Sequence, residues 1–252
     1  MGRAAAIIYG NGHDLGKFEV FASSLAHTLW PKYGHDRVLI QKIVRRDDFF
    51  SYVAGPPTLA PADKIEEIHV FAHSIGGGLF IAYGDETISH RRQYVIDHAE
   101  RDGRRVTYKE AVETEIGAIL TDDFIGTPYR EKRDAVRKNL AEHATIKLWG
   151  CNAGVKGWVY TDGDPNDVRT PYYWRALNEQ NVPKPAVAQA VADYFGRTCW
   201  GAGSGSHVEV LSQGHWESSG HYHTKTGRWP SGAMVHRLHP DRGDYRAYQP
   251  AR

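Results

Sequence analysis

IHVFAH, at residues 68–73, is a short apolar stretch that ends in a histidine, and IKLWGC, at residues 146–151, is a second one that ends in a cysteine. Apolar runs of this length, bounded by glycine-rich segments, are typical of buried strands in a parallel sheet. Parallel sheets place ligands and reactive groups at the carboxyl ends of their strands. The two stretches therefore predict that His73 and Cys151 face one crevice.

The rest of the chain alternates strand patterns with helix patterns, which is typical of an α/β sheet. Strands are predicted at Arg3–Tyr9, Arg37–Val44, Leu79–Tyr83 and Thr198–Ala202. Helices are predicted at Lys17–Trp30, Arg130–His143 and Lys184–Phe195. Residues 88–123 are polar and fit neither pattern, and residues 154–181 are predicted to be a substrate-facing loop.

Composition fits one large domain with a full core. The chain has 252 residues, 41% of them hydrophobic, and a formal charge of only +1. Such a balance creates no global field that would attract nucleic acid. No apolar run approaches the roughly 20 residues of a membrane span. We therefore expect neither nucleic acid nor membrane partners, and the sequence does not indicate an oligomeric state.

The C-terminal part of the chain differs in composition from the rest. From residue 213 onward it is rich in Gly, His, Pro, Arg and aromatic residues. So many aromatic side chains argue against disorder. We predict a main domain over residues 1–211 and, over residues 212–252, an extension packed on it.

The two reactive stretches resemble the caspase-like (clan CD) cysteine peptidases. This family includes caspases, gingipains, clostripain, the autoprocessing domains of large bacterial toxins and the CHAT domains. The similarity lies in His73-Ser74-Ile75-Gly76-Gly77-Gly78-Leu79 and in Trp149-Gly150-Cys151-Asn152-Ala153-Gly154, within an outline over residues 4–211. Most members carry His-Gly where this chain has His73-Ser74. The resemblance implies a three-layer α/β/α fold around a central, mostly parallel sheet.

The resemblance also implies a cysteine endopeptidase that works through a histidine–cysteine dyad. Cys151 would be the nucleophile and His73 the residue that polarises the scissile amide or protonates the leaving amine; no third residue is strictly required. Glycines let the backbone approach a developing charge, so the oxyanion donors are expected at Gly76, Gly77, Gly150 and the N–H of Cys151. The resemblance therefore implies a protein or peptide substrate and no cofactor or metal. Family members variously use activating ligands such as calcium, but no motif here selects one.

In this family the substrate pocket lies beside the nucleophile, built from loops after the first strand and after the cysteine strand. An acidic pocket there would select Arg or Lys at the cleaved position. The candidate pocket residues in this sequence are Asn11, His13 and Asp14 in the first loop and Asp162, Asp164 and Asp167 in the second.

A rival interpretation uses the same glycine-rich segment. Residues 72–77, Ala-His-Ser-Ile-Gly-Gly, are similar to the nucleophile elbow of α/β-hydrolases, with Ser74 as nucleophile of an esterase or lipase. A late histidine such as His207, His215 or His236 would complete its triad. An elbow must open into a helix, whereas three glycines and an apolar strand pattern follow Ser74.

Two further alternatives stay open. A caspase-like fold retained as a binding module would keep His73 and Cys151 without aligning them. A metal site is the other alternative, because His221 and His223 form a His-x-His pair. Cys199 lies in another apolar run but lacks the glycine-bounded setting of Cys151, and it is predicted to be structural.

The compartment is predicted from the cysteines and the N-terminus. Two cysteines do not make a disulfide framework, and residues 1–4 lead into too short an apolar run for a secretory signal. We expect a cytoplasmic protein or one secreted by a signal-peptide-independent route, with a bacterial effector or a self-processing protease as the corresponding roles.

Overall fold

The computed structural model describes residues 2–11, 18–74, 77–150, 153–154, 185–203, 207–210, 216–219 and 245–251. Its helices are α1 (Phe18–Tyr33), α2 (Arg46–Ala54), α3 (Glu86–Arg101), α4 (Tyr108–Thr114), α5 (Thr121–Ile125), α6 (Arg133–Asn139) and α7 (Val187–Phe195). Its strands are β1 (Arg3–Tyr9), β2 (Val38–Lys42), β3 (Lys64–Phe71), β4 (His73–Ser74), β5 (Gly78–Phe80), β6 (Ala118–Leu120), β7 (Leu140–Leu148), β8 (Thr198–Ala202), β9 (His207–Val210), β10 (Trp216–Ser219) and β11 (Tyr245–Tyr248).

The central sheet has the strand order β11-β8-β7-β3-β1-β2. Every neighbouring pair from β8 to β2 is parallel, and only β11 runs antiparallel, beside β8. Two smaller antiparallel sheets are formed by β4, β5 and β6 and by β9 and β10. The expected α/β class with a mostly parallel central sheet is confirmed. Near the end of the chain, β11 adds an edge strand to this sheet.

Helices cover both faces of the central sheet, so its inner strands bury side chains on both sides. Successive residues of a strand point to opposite faces. In β1, Ala5 and Ile7 therefore pack with α1, while Ala6 and Ile8 pack in the larger cluster with α2, α6 and α7. The chain thus builds one helical layer on each side of the sheet.

The segment 88–123, which the sequence left unassigned, folds through local capping. The carboxylate of Asp85 accepts a hydrogen bond from the N–H of Ile88 at the start of α3. Thr107 and Glu110 form a reciprocal capping box at the start of α4. These two helices carry a small core of their own against β5 and β6.

Several predicted boundaries differ from the observed ones, and backbone hydrogen bonding explains two of them. The helix predicted over Arg130–His143 ends at Asn139, because Leu140 already pairs with Ile65 as the first residue of β7. The strand predicted over Leu79–Tyr83 ends at Phe80. Beyond it, the N–H groups of Ile81 and Ala82 both donate to the carbonyl of Gly117.

Among the described residues, no helix is both long enough and apolar enough to cross a membrane.

Lys147 is buried inside the sheet layer without a carboxylate partner among the described residues. Its side chain is 1% exposed, and its Nζ lies 3.7 Å from the ring centroid of Trp149 and 4.0 Å from that of Tyr245. Burial lowers the pKa of Lys147 well below its ordinary value. Cation–π contacts offset part of this cost, but they do not replace water.

Replacing Lys147 by Met should raise the free energy of unfolding at pH 7 by about 1 kcal/mol or more, because the buried amine is removed while its volume is kept. The folded pKa lies below the unfolded one, so the unfolded chain binds more protons and the burial cost is largest at low pH. The gain should therefore shrink as pH rises toward the ordinary lysine pKa. Chemical denaturation at several pH values measures it.

Lys109→Met is the matched control, because Lys109 is exposed and its ion pair among the described residues is with Glu113, one helical turn away. It should leave stability nearly unchanged at every pH. A Lys147→Met variant that is less stable than the parent at pH 7 would show that the aromatic contacts outweigh the burial cost.

Candidate active site at the ends of two adjacent strands

The two stretches that end in His73 and Cys151 are neighbours in the central sheet. Strands β3 and β7 pair in parallel with Val70 opposite Leu148. The N–H of Trp149 extends this ladder by donating to the carbonyl of Val70 over 2.9 Å. The rings of Phe71 and Trp149 then stack, with centroids 5.4 Å apart and planes 5° from parallel. The carboxyl ends of both strands thus meet at one edge of the sheet.

Gly150 lies close to the segment that carries His73. A Cβ placed on Gly150 would lie 2.5 Å from the Cβ of Ser74 and 2.6 Å from the carbonyl oxygen of Ala72. Real Cβ atoms do not tolerate such distances, so only glycine fits this position. The residue that precedes Cys151 in the chain therefore lies directly against the segment that carries His73.

His73 lies in the short strand β4, where it pairs with Phe80 of β5. Its side chain is partly exposed. Among the described residues, the ring of Tyr83 contacts the imidazole with a centroid distance of 4.5 Å and the ring of Phe18 with one of 5.1 Å. The imidazole is thus held at the open edge of the sheet between α1 and the turn that follows β5.

Ser74 lies in a β-hairpin formed by β4 and β5. Ser74 pairs antiparallel with Leu79, and β5 follows at Gly78–Phe80 where a nucleophile elbow requires a helix. The side chain of Ser74 is buried, with 3% of the residue exposed, and its Oγ has no hydrogen-bond partner among the described residues. This geometry counts against Ser74 as an accessible nucleophile.

Gly77 and Asn11 are held by hydrogen bonds to neighbouring segments. The carbonyl of Gly77 accepts hydrogen bonds from both the N–H and the hydroxyl of Thr121, at 2.9 and 3.0 Å. The N–H of Asn11 donates to the carbonyl of Ile81 over 2.6 Å. Gly10, just before it, donates to the carbonyl of Phe71. Of the predicted site residues, the structure therefore brings His73, Gly150 and Asn11 to the same edge of the sheet, whereas Gly77 lies against Thr121.

The other predicted site residues lie outside the described part of the chain. These are the nucleophile Cys151, the oxyanion candidate Gly76, and the pocket candidates His13, Asp14, Asp162, Asp164 and Asp167. The same holds for His215, His221, His223 and His236, while His207 is described only as part of the backbone of β9.

A buried polar chain lies beneath the crevice. The indole N–H of Trp149 donates to Nδ1 of His69 over 3.4 Å, and Nε2 of His69 lies 3.1 Å from the carboxylate of Glu67. Glu67 also accepts from the hydroxyl of Tyr33 at 2.7 Å. Burial lowers the pKa of His69, although Glu67 opposes the shift. A neutral His69 with its proton on Nε2 satisfies both neighbours.

Cys199 belongs to the core, as predicted. It is fully buried in β8, and burial raises the pKa of its thiol well above the ordinary value. It is therefore a protonated, inaccessible thiol. In the described part of the chain, no cluster of three His, Cys, Asp or Glu side chains could hold a metal ion.

Comparison of the chain with protein-family models, with curated proteins and with solved structures gives no match. The chemistry of this edge must therefore be inferred from the residues themselves.

Three residues of the site were missed from the sequence: Phe18, Tyr83 and Thr121. Phe18 fitted the apolar face of a helix, and Tyr83 fitted the end of a strand. Thr121 lay in the segment that fitted no pattern. The contacts of all three depend on how the antiparallel hairpin folds back on the main sheet, and local spacing does not encode this.

Gly150→Ala should destabilise the protein strongly, because the new methyl group has no space between Ser74 and Ala72. We expect a clear drop of the thermal unfolding midpoint, by several degrees. Gly55→Ala is the matched control: a Cβ there meets nothing within 4 Å, and its φ of −165° suits any residue. Equal midpoints for the two variants would contradict the close contact of the strand ends.

Proposed function

We propose that this protein is a hydrolase whose nucleophile is Cys151 and whose proton carrier is His73. The observation that supports it best is the contact of Gly150 with Ala72 and Ser74. In this contact Gly150, which precedes Cys151, lies against Ala72 and Ser74, the residues on either side of His73. A cysteine acts as a nucleophile only as thiolate, and a neighbouring imidazole favours that form.

Within this class, a caspase-like cysteine endopeptidase is the best candidate. In that family the catalytic histidine and cysteine each follow a hydrophobic strand. Here β3 leads to His73 and β7 leads toward Cys151, and the two strands are parallel neighbours. The helical layers on both faces of the sheet agree with the three-layer fold that the resemblance implies.

In the first half of the reaction, the thiolate of Cys151 attacks the carbonyl carbon of a peptide bond. A carbon–sulfur bond forms, and the electron pair of the carbonyl moves to its oxygen. Collapse of this adduct breaks the carbon–nitrogen bond, and the imidazolium of His73 gives its proton to the leaving amine. A thioester acyl-enzyme and a free amine result.

In the second half, His73 takes a proton from a water molecule as that water attacks the thioester. The new carbon–oxygen bond replaces the carbon–sulfur bond, and the thiolate leaves. The developing oxyanion in both halves would be stabilised by backbone N–H groups around Gly76, Gly77, Gly150 and Cys151. Asn11 would border the substrate cleft, together with the acidic candidates of the two loops. A reducing compartment would keep Cys151 available as a thiol.

Selective labelling tests this proposal. The pure protein is treated with an iodoacetamide probe and, in parallel, with a fluorophosphonate probe. We expect fast alkylation near pH 6, where an ordinary thiol with a pKa of about 8.5 hardly reacts. Cys151→Ala should abolish this labelling, and His73→Ala should slow it by at least about tenfold.

Cys199 provides the internal control, because its buried thiol should stay unlabelled until the protein unfolds. Labelling of Ser74 by the fluorophosphonate would identify a serine esterase instead. Selective labelling by neither probe would favour a caspase-like binding module without catalysis.

A further inference from the structure

The imidazole of His73 is held by aromatic rings from two separate elements. Phe18 is the first residue of α1, and Tyr83 follows the hairpin strand β5. Their planes are tilted by 56° and 53° to that of the imidazole. Tilted aromatic pairs at these distances are favourable contacts. Each ring therefore restricts the rotation of the histidine side chain.

Both rings are themselves fixed. Phe18 contacts Phe21, and Phe21 contacts Phe71, which stacks on Trp149. An unbroken series of ring contacts thus runs from His73 through α1 back to the strand that leads to Cys151. On the other side, the backbone before Tyr83 is held because Ile81 and Ala82 donate to Gly117 and Ile81 accepts from Asn11.

Tyr83 differs from the other rings because it is 47% exposed. A large aromatic side chain gains little burial energy in such a position. Its contact with the imidazole is therefore the main packing interaction that the structure shows for its ring. An exposed position also means that Tyr83 can be changed without disturbing the core.

We propose that Tyr83, together with Phe18, is a positioning residue that fixes the orientation of the His73 imidazole. This inference rests on the proposed His73–Cys151 chemistry. A histidine that transfers protons must keep its nitrogen within hydrogen-bond reach of the reacting atoms, and small displacements cost much of the rate. Two rings from two elements remove alternative rotamers that a half-exposed histidine would otherwise populate.

The test compares Tyr83→Leu, Tyr83→Phe and the parent protein. The rate of Cys151 alkylation by iodoacetamide at pH 6 should fall roughly tenfold in Tyr83→Leu, approaching that of His73→Ala. Tyr83→Phe keeps the ring and should restore the parental rate. Phe18→Leu should slow the reaction in the same way, provided that its thermal midpoint shows a folded protein.

Tyr94→Leu is the matched control. Tyr94 is also an exposed tyrosine whose ring contacts a histidine, His98, at 3.8 Å, but on α3 and away from the crevice. This variant should alkylate at the parental rate. A second readout does not depend on catalysis: in the NMR spectrum, the Cε1 proton of His73 should lose the contribution of Tyr83 to its ring-current shift in Tyr83→Leu and keep it in Tyr83→Phe.

The outcomes separate this inference from the proposed function. Fast alkylation in the parent, slowed by His73→Ala but unchanged in Tyr83→Leu, would overturn the positioning role and leave the dyad intact. Slow alkylation of Cys151 in the parent itself would overturn the dyad and, with it, the role of Tyr83. A His73 resonance that is unchanged in Tyr83→Leu would disprove the contact directly.

Discussion

The parallel pairing of β3 with β7 is the constraint on which the candidate site depends. The pairing runs in one register from Glu67 and Thr145 to Val70 and Leu148, and the hydrogen bond from Trp149 to Val70 extends it, so the two strands end side by side. A slip of one residue would turn every side chain to the opposite face. The stacked rings of Phe71 and Trp149 then close the sheet just below the crevice. The candidate site can form because two segments that are far apart in the sequence end side by side at this edge of the sheet.

The same alternation of side chains distributes polar groups within the sheet. His69, Phe71, Lys147 and Trp149 are connected by ring and hydrogen-bond contacts in the layer beside α1. The opposite layer, beside α2, α6 and α7, is built from aliphatic and aromatic side chains such as Ile68, Val70 and Leu148. Within β3 and β7, the buried ionisable side chains His69 and Lys147 therefore lie on the face beside α1. That face also carries the ring contacts that reach His73.

Much of this fold can be predicted from sequence, because strands buried on both faces give strong apolar signals. The predicted strands Arg3–Tyr9 and Thr198–Ala202 have the bounds of β1 and β8. The polar helices α3 and α4 could not be predicted in this way, because capping and a small separate core hold them rather than a long apolar stripe. The strand that follows Ser74 was predicted in part, as Leu79–Tyr83 against the observed Gly78–Phe80. The ring contacts around His73 were not, since they join residues from three segments.

The serine after His73 shows how sequence variation in one strand can be absorbed by its neighbour. Most members of the family that this chain resembles carry glycine at that position. Ser74 brings a Cβ and a hydroxyl into the contact between the two strand ends. That contact remains possible because the facing residue, Gly150, has no side chain. One glycine in the pair is enough to let the two backbones approach. The departure from the family pattern at Ser74 is therefore compatible with the close strand ends that the proposed dyad requires.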